Sequence, residues 1–224
     1  MSAEVVIVDD HGLLATTLAT ALELRGLTVD VVVPGDDATQ LRRTLLERRP
    51  GIVLLDLDLG PCGEAVPLIP PLTDAGAAVV MVTGVEDRES RARCIAAGAV
   101  GILDKTEGVD TVTEAVERVR TDGSLLSEHE RQEQLAWIRE REHARRRDLA
   151  PFAELTDREA EVLGELMAGH TVEEIATSAV VSRATVRTQV RSILGKLGVH
   201  SQVAAIGLAH EVGWQPPHWG QTDG

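Results

Sequence analysis

Residues 52–56 read Ile-Val-Leu-Leu-Asp, four apolar residues closed by a carboxylate, and this stretch sets the pattern of the first half of the chain. Five short β-branched runs recur at regular distances: Val5–Val8, Val29–Val33, Ile52–Leu55, Val79–Val82 and Val100–Leu103. Segments with helical periodicity lie between and after them: Leu13–Arg25, Ala38–Arg49, Glu64–Leu72, Arg88–Ala97 and Val109–Arg120. Apolar runs that do not alternate are typical of strands covered on both faces, and alternating strands and helices imply a parallel sheet with right-handed crossovers. The sequence therefore predicts an α/β fold, a (βα)5 doubly wound parallel sheet, over residues 1–123.

The second half of the chain has a different character. Twelve of the 23 residues from Ser127 to Leu149 are charged, and the mixed signs at helical spacing are typical of a solvated helix. We therefore predict a charged helical linker over residues 124–150. Residues 151–213 contain short helical segments and no convincing strand, which predicts a second, all-α domain of four helices. We expect the tail, residues 214–224, to be flexible.

Composition limits the class of protein. The 224 residues, 43% hydrophobic and 26% charged, suit a globular protein of two domains. Since no apolar run approaches the roughly 20 residues of a membrane span and the N-terminus lacks a basic signal start, we expect a cytoplasmic protein without membrane contact. Cys62 and Cys94 fit no zinc or redox spacing, so we predict free thiols. The net charge of −14 argues against general affinity for nucleic acid, which leaves local charge to decide.

Polar residues follow four of the five predicted strands. Asp9 and Asp10 follow the first strand, Asp56 the third, Thr83 the fourth and Lys105 the fifth. The carboxyl ends of parallel strands share one edge of the sheet, so these side chains converge on one pocket. Carboxylates at close quarters repel one another unless a cation joins them, and oxygen ligands suit Mg²⁺. With a metal present, a carboxylate can act as nucleophile toward phosphorus while a hydroxyl and an ammonium neutralise the other oxygens.

The residues around this pocket resemble the receiver domains of bacterial response regulators. The resemblance runs from about residue 3 to 121 and rests on four motifs: Val5–His11, Ile52–Asp56, Val79–Thr83 and Gly98–Lys105. It implies that Asp56 accepts a phosphoryl group from the phosphohistidine of a sensor histidine kinase or from a small donor. It also implies that Thr83 and Lys105 sense the phosphoryl group. The metal ligands implied for Mg²⁺ are Asp9, Asp10, Asp56 and the backbone of Asp58.

Two segments depart from the family pattern. Ile102 stands where the family usually has an aromatic switch residue, so the usual coupling between a threonine and an aromatic ring cannot operate in its ordinary form. The third helix contains Pro67, Pro70 and Pro71, and prolines at interior positions break helices. We therefore expect a distorted or shortened third helix.

Three capping signals mark helix starts in the C-terminal domain. Thr156 with Glu159 and Thr171 with Glu174 have the spacing of capping boxes, and Ser182 is a candidate cap of a third helix. A short helix, a tight turn and a longer basic helix form the geometry that places a recognition helix in the major groove.

The predicted third helix of this domain carries the local positive charge. No acidic residue occurs from Ile175 to His210, whereas Arg183, Arg187 and Arg191 recur at four-residue spacing and Lys196 follows. The segment Thr185–Val199 resembles the signature of LuxR-type helix-turn-helix domains, a resemblance that covers about residues 152–212. It implies insertion of the third helix into DNA and a dimer contact through a fourth helix at about 201–212. The candidate DNA-binding residues are Ser182, Arg183, Thr185, Arg187, Thr188, Gln189, Arg191 and Lys196.

Together, the two resemblances predict a DNA-binding transcriptional response regulator of the NarL/LuxR class of two-component systems, switched by phosphorylation of Asp56. The implied partners are promoter DNA, a sensor histidine kinase and a second copy of the chain on activation or on DNA. One alternative is a phosphorylation-independent regulator controlled by a ligand or partner protein, which Ile102 favours. A minor alternative is a Mg²⁺-dependent phosphatase, because Asp56-Leu57-Asp58 imitates the start of aspartate-nucleophile phosphatases. We otherwise expect no enzymatic activity.

Overall fold

The computed structural model describes residues 3–84 and 87–216, and within them the N-terminal unit is built on one parallel sheet. The sheet has five strands in the order β2-β1-β3-β4-β5, with every neighbouring pair parallel. The strands are β1 Val5–Val8, β2 Val29–Val32, β3 Ile52–Leu55, β4 Ala78–Thr83 and β5 Gly101–Asp104. The predicted (βα)5 fold is confirmed, and each strand lies within one residue of its predicted bounds.

Five helices cover the two faces of the sheet. They are α1 Gly12–Leu24, α2 Ala38–Arg48, α3 Ile69–Asp74, α4 Arg88–Ala97 and α5 Val109–Asp122. Alternate residues of a strand pack on opposite faces of the sheet. Val53 and Leu55 pack in one apolar cluster with α2, α3 and α4, whereas Ile52 and Leu54 pack in the other with α1 and α5. Burial on both faces is the physical reason why the strand sequences do not alternate.

The third helix is shortened, as the sequence predicts. Only Ile69–Asp74 is α-helical, and two single 3₁₀ turns, Gly60–Cys62 and Val66–Leu68, precede it. Pro67, Pro70 and Pro71 lie in first turns, where their missing N–H groups leave no helical hydrogen bond unmade.

The charged segment after α5 forms α6, Glu128–Leu149, a helix of 22 residues. The chain divides into two compact units between Arg139 and Glu140, a point that lies inside this helix. In the first unit, Trp137 stacks against Arg88, whose guanidinium carbon lies 4.8 Å from the ring centroid, and Ile138 is buried. Across residues 3–84 and 87–216, no helix combines the length and the apolar character that a membrane span requires.

The C-terminal unit is helical, as the sequence predicts. Its helices are α7 Asp157–Met167, α8 Val172–Ser178, α9 Arg183–Leu197 and α10 Gln202–Glu211. Both predicted capping boxes form, at Thr156 and Thr171, and Ser182 caps α9 by accepting the N–H of Thr185. Trp214, which we assigned to the flexible tail, stacks on Phe152 with ring centroids 5.2 Å apart. The rest of the predicted tail, from residue 217, lies outside the described residues.

Candidate functional site

The predicted carboxylate pocket forms at the carboxyl edge of the sheet. Asp9 directly follows β1 and Asp56 directly follows β3, and the register of these strands pairs Val8 with Leu55, so the two carboxylates emerge side by side. Both are almost fully buried, at 3% and 4% exposure. Thr83, the last residue of β4, is buried as well, and its carbonyl accepts the backbone N–H of Lys105 at 3.1 Å. The convergence therefore follows from the topology of the sheet.

Lys105 joins the two buried carboxylates. Its Nζ donates to Asp56 Oδ2 at 2.6 Å and to Asp9 Oδ1 at 3.1 Å. Burial alone would lower the pKa of the ammonium, but the hydrogen bonds to both carboxylates outweigh it and raise the pKa above the ordinary value. Lys105 is therefore held in its charged form at the centre of the pocket.

The pKa of the Asp56 carboxyl differs from its ordinary value. Burial raises this pKa, and the hydrogen bond from Lys105 offsets only part of the effect. A second donor, the backbone N–H of Asp58, lies 3.4 Å from Asp56 Oδ1. A carboxylate that is partly desolvated in this way keeps more of its nucleophilic character than one exposed to water.

The donor set of the pocket fits a hard divalent cation. Ligand atoms from Asp9, Asp10, His11 and Asp56 lie within 4.8 Å of one another, and three of the four are carboxylate oxygens, the ligands that Mg²⁺ prefers. Our sequence prediction did not include His11. Its position next to Asp9-Asp10 was the available signal, but nothing in the sequence gave the direction of the imidazole.

Two further features of the N-terminal unit are the packing of Ile102, which departs from the family pattern, and the turn that follows Asp56. Ile102 on β5 is partly buried and packs against the apolar cluster that contains Met81 of β4. The side chain of Asp58 accepts the N–H of Gly60 at 3.0 Å, which closes a tight turn after Asp56.

In the second unit, α8 and α9 form the predicted helix-turn-helix. Arg183, Arg187 and Arg191 are exposed along α9, while Val186 and Ile193 are buried against the domain core. Guanidinium nitrogens of Arg183 and Arg187 lie 3.5 and 3.9 Å from Glu173 of α8, loose and exposed ion pairs that contribute little to stability. The arginines are therefore available on the surface. The uncharged polar candidates at the start of α9 and along it are exposed or half-buried: Ser182, Thr185, Thr188 and Gln189.

Lys196, a predicted DNA contact, has partners within its own domain. Its Nζ donates to the Glu159 carboxylate at 2.6 Å and to the Glu154 carbonyl at 2.8 Å, both within the domain. Glu159 is 6% exposed and also accepts from the backbone and hydroxyl of Thr156. Burial alone would raise the pKa of Glu159, but hydrogen bonds led by that from Lys196 lower it to about 2. Lys196 is thus the partner of a buried carboxylate, which the sequence does not reveal because Glu159 lies on another helix.

A five-stranded parallel sheet with an acidic pocket at its carboxyl edge, followed by a helix-turn-helix domain, defines a class of protein: transcription regulators that join a receiver domain to a DNA-binding domain. The family comparisons agree. Residues 5–117 match the response regulator receiver domain, and residues 153–209 match the luxR family of bacterial regulatory proteins. The chain belongs to the response regulators with a LuxR-type DNA-binding domain, the family of two-component transcriptional regulators.

Curated relatives are similar over nearly their whole length. The chain is 33% identical to the nitrate/nitrite response regulator protein NarP of Escherichia coli, over 90% of this chain and 92% of NarP. It is 30% identical to the transcriptional regulatory protein LnrK of Bacillus subtilis, over 90% of this chain and 94% of LnrK. A nitrate/nitrite response regulator homologue of Haemophilus influenzae is also 30% identical, over 93% of this chain and 96% of that protein. The relatives therefore share the two-domain organisation, and the predicted class is confirmed.

Proposed function

We propose that this regulator is switched by phosphorylation of Asp56. The observation that supports the proposal is the buried Asp56 carboxylate, which Lys105 contacts at 2.6 Å in a pocket with the ligands of a divalent cation. A carboxylate oxygen of Asp56 attacks the phosphorus of a phosphohistidine or a small acyl phosphate. The bond from phosphorus to the donor breaks, and the leaving group keeps the bonding electrons. From a phosphohistidine the departing imidazole takes a proton, and from an acyl phosphate a free carboxylate departs.

The other residues of the pocket stabilise the charge that develops on the phosphoryl oxygens. Asp9, Asp10, Asp56 and the backbone of Asp58 would hold Mg²⁺, which when bound neutralises charge on the phosphoryl group. Lys105, already held in its charged form, moves from the carboxylate to a phosphoryl oxygen. The Thr83 hydroxyl donates to another of these oxygens.

For the DNA-binding domain, we propose that α9 enters the major groove of promoter DNA. The exposed arginines contact phosphates or the edges of guanine, and α10 supplies the contact between two copies of the chain on two half-sites. The contact set is Ser182, Arg183, Thr185, Arg187, Thr188, Gln189 and Arg191. Lys196 is left out because its ammonium is paired with Glu159. We place the protein in the cytoplasm, with a sensor histidine kinase as phosphodonor and no membrane contact.

The packing of Ile102 favours a second candidate function, a regulator that binds DNA without phosphorylation and responds to a ligand or partner protein. An isoleucine held against the core has no ring to rotate toward a threonine, so the usual switch would have to be replaced by another device.

The test is the intact mass of the protein after incubation with Mg²⁺ and acetyl phosphate, measured beside Asp56→Asn, with promoter binding measured for both. Gain of one phosphoryl group by the wild type alone, together with tighter DNA binding, supports the phosphorylation switch. If neither protein gains mass and both bind DNA equally, the phosphorylation-independent regulator is the better description.

A further inference from the structure

We infer that the amino edge of the sheet carries a binding site for a small organic anion with an apolar body, such as a medium-chain carboxylate. The site lies at the edge opposite the carboxylate pocket, because all neighbouring strands are parallel and therefore begin at one edge and end at the other. The inference goes beyond the proposed function and does not depend on whether Asp56 accepts a phosphoryl group.

A cavity of about 480 Å³ opens where the first residues of β1, β3 and β4 meet the end of α5. Its apolar wall includes Val5 of β1, Ile52 of β3, Val119 of α5 and Leu27, all of which belong to the hydrophobic core of this unit. The volume lies within the range of roughly 300–1,000 Å³ that is usual for small-molecule sites. The cavity therefore has the room and the apolar surface to hold the body of a small ligand.

The charged residues of the cavity favour an anion. Two arginines, Arg49 and Arg120, and one carboxylate, Glu4, belong to its wall. The guanidinium of Arg120 donates to Glu117 at 2.8 Å, and the Glu4 carboxylate accepts the backbone N–H of Thr28 at 2.9 Å. Two of the three charged groups thus already have partners, and Arg49 is left as the principal cation for a ligand.

The backbone at Arg49 has a conformation that side chains rarely adopt. Arg49 ends α2 with φ 48° and ψ 55°, in the left-handed region where glycine or asparagine usually stands. Among the described residues, Val180 is the one other non-glycine residue with a positive φ. Arg48 pairs with Asp30, whereas Arg49 forms no ion pair within the described part of the chain. An arginine kept at a conformational cost and without an ionic partner indicates a role outside the packing of the fold.

The class of ligand follows from these two parts of the wall. A carboxylate can accept two parallel hydrogen bonds from the Arg49 guanidinium, which is a strong and geometrically specific pairing. An alkyl or aromatic body then covers the apolar wall around Val5 and Ile52. An ammonium on the same body would meet two arginines and one carboxylate, and would bind more weakly. Such a site would give the second candidate function, a regulator that responds to a ligand, a ligand of stated chemistry.

The simpler interpretation is a solvated arginine beside a surface depression. Arg42 provides the comparison, because it is an exposed arginine on the same helix that does not line the cavity. If Arg49 serves only as a solvated charge, its removal should affect the binding of small anions no more than the removal of Arg42.

The test uses the full-length protein and three probes: octanoate, acetate, which lacks the apolar body, and octylammonium, which reverses the charge. Binding is followed through the methyl resonances of valine, leucine and isoleucine in NMR spectra. We expect saturable shifts with octanoate at the methyl groups of Val5, Ile52 and Val119. Acetate should bind at least about tenfold more weakly, since it buries no apolar chain. Octylammonium should also bind more weakly than octanoate, because its charge is repelled by the arginines.

Arg49→Gly is the decisive variant, because it removes the guanidinium and places glycine where the backbone favours it. We expect it to weaken octanoate binding by about tenfold or more, the effect of losing a hydrogen bond to a charged group, while Arg42→Ala keeps the wild-type affinity. Circular dichroism checks that the fold is retained. Arg49→Asn serves as a second variant if Arg49→Gly does not fold, since asparagine also adopts the left-handed conformation.

Three results would overturn the inference. They are the absence of saturable octanoate shifts at the cavity, equal affinity of Arg49→Gly and the wild type, and binding of octylammonium as tight as that of octanoate. None of these readouts involves phosphate transfer, so phosphorylation of Asp56 is decided by its own experiment.

Discussion

Replacement of Lys196 by methionine tests the pairing of this residue with Glu159 within the DNA-binding domain. The variant keeps the length of the side chain but leaves the Glu159 carboxylate buried without its charged partner. Hydrogen bonds lower the pKa of Glu159 from the ordinary 4.5 to about 2, and the hydrogen bond from Lys196 is the largest of them. Removing one partner of a buried ion pair costs about 3–5 kcal/mol, and the 29% exposure of the Lys196 side chain places this variant at the lower end of that range. We therefore expect the domain to be destabilised by about 3 kcal/mol.

Hydrogen exchange of the full-length protein measures this loss locally, in α7 and α9. A destabilisation of about 3 kcal/mol accelerates exchange by about a hundredfold in these helices. Arg187→Ala is the matched control, because Arg187 lies on the same helix, is exposed and pairs only loosely with Glu173. If Lys196→Met keeps the exchange rates of the wild type and instead lowers the salt dependence of DNA binding, our assignment is wrong and Lys196 is a phosphate contact.

The same pair predicts how the stability of this domain depends on pH. The pKa of Glu159 is lower in the folded state than the ordinary 4.5, so its contribution is complete above about pH 4.5 and is lost as the pH falls toward about 2. Lys196→Met should weaken this dependence, because without the ammonium the folded-state pKa lies closer to the ordinary value. Urea unfolding at a series of pH values measures the difference, and parallel pH profiles for the two proteins would contradict the argument.

Three further predictions concern other parts of the chain. Arg187→Ala should weaken promoter binding and reduce the slope of log affinity against log salt by about 0.9, the effect of one lost phosphate contact, and an unchanged slope would remove Arg187 from the phosphate contacts. Trp137→Leu removes the stacking on Arg88, which is worth about 0.5–1 kcal/mol, and should therefore accelerate hydrogen exchange in the first half of α6. Unchanged exchange would mean that this contact does not stabilise the helix. Iodoacetamide at pH 8 should label the half-buried Cys62 of the native protein but not Cys94, because Cys94 is buried and its pKa is raised to about 11. Labelling is measured by intact mass, and equal labelling of the two cysteines would contradict the prediction.

Local features of the fold were predictable because their causes are local. The capping boxes at Thr156 and Thr171 depend on residues three positions apart, and the shortened third helix depends on prolines within it. Strand positions were predictable to within one residue because burial on both faces leaves runs of apolar residues. The assignment of Trp214 to the tail went wrong for the opposite reason. Its stacking partner, Phe152, lies at the other end of the domain sequence.

The sequence by itself determined the parallel sheet, the helix-turn-helix and the meeting of Asp9, Asp56 and Lys105 at one edge. The alternation of strands and helices, and with it the shared direction of parallel strands, follows from patterns along the chain. Only the tertiary structure decided which atoms pair. In it the His11 imidazole contacts the Asp10 carboxylate, and the Lys196 ammonium donates to the Glu159 carboxylate. These contacts depend on side-chain direction and on packing between elements distant in sequence. Neither property leaves a periodic trace in the sequence.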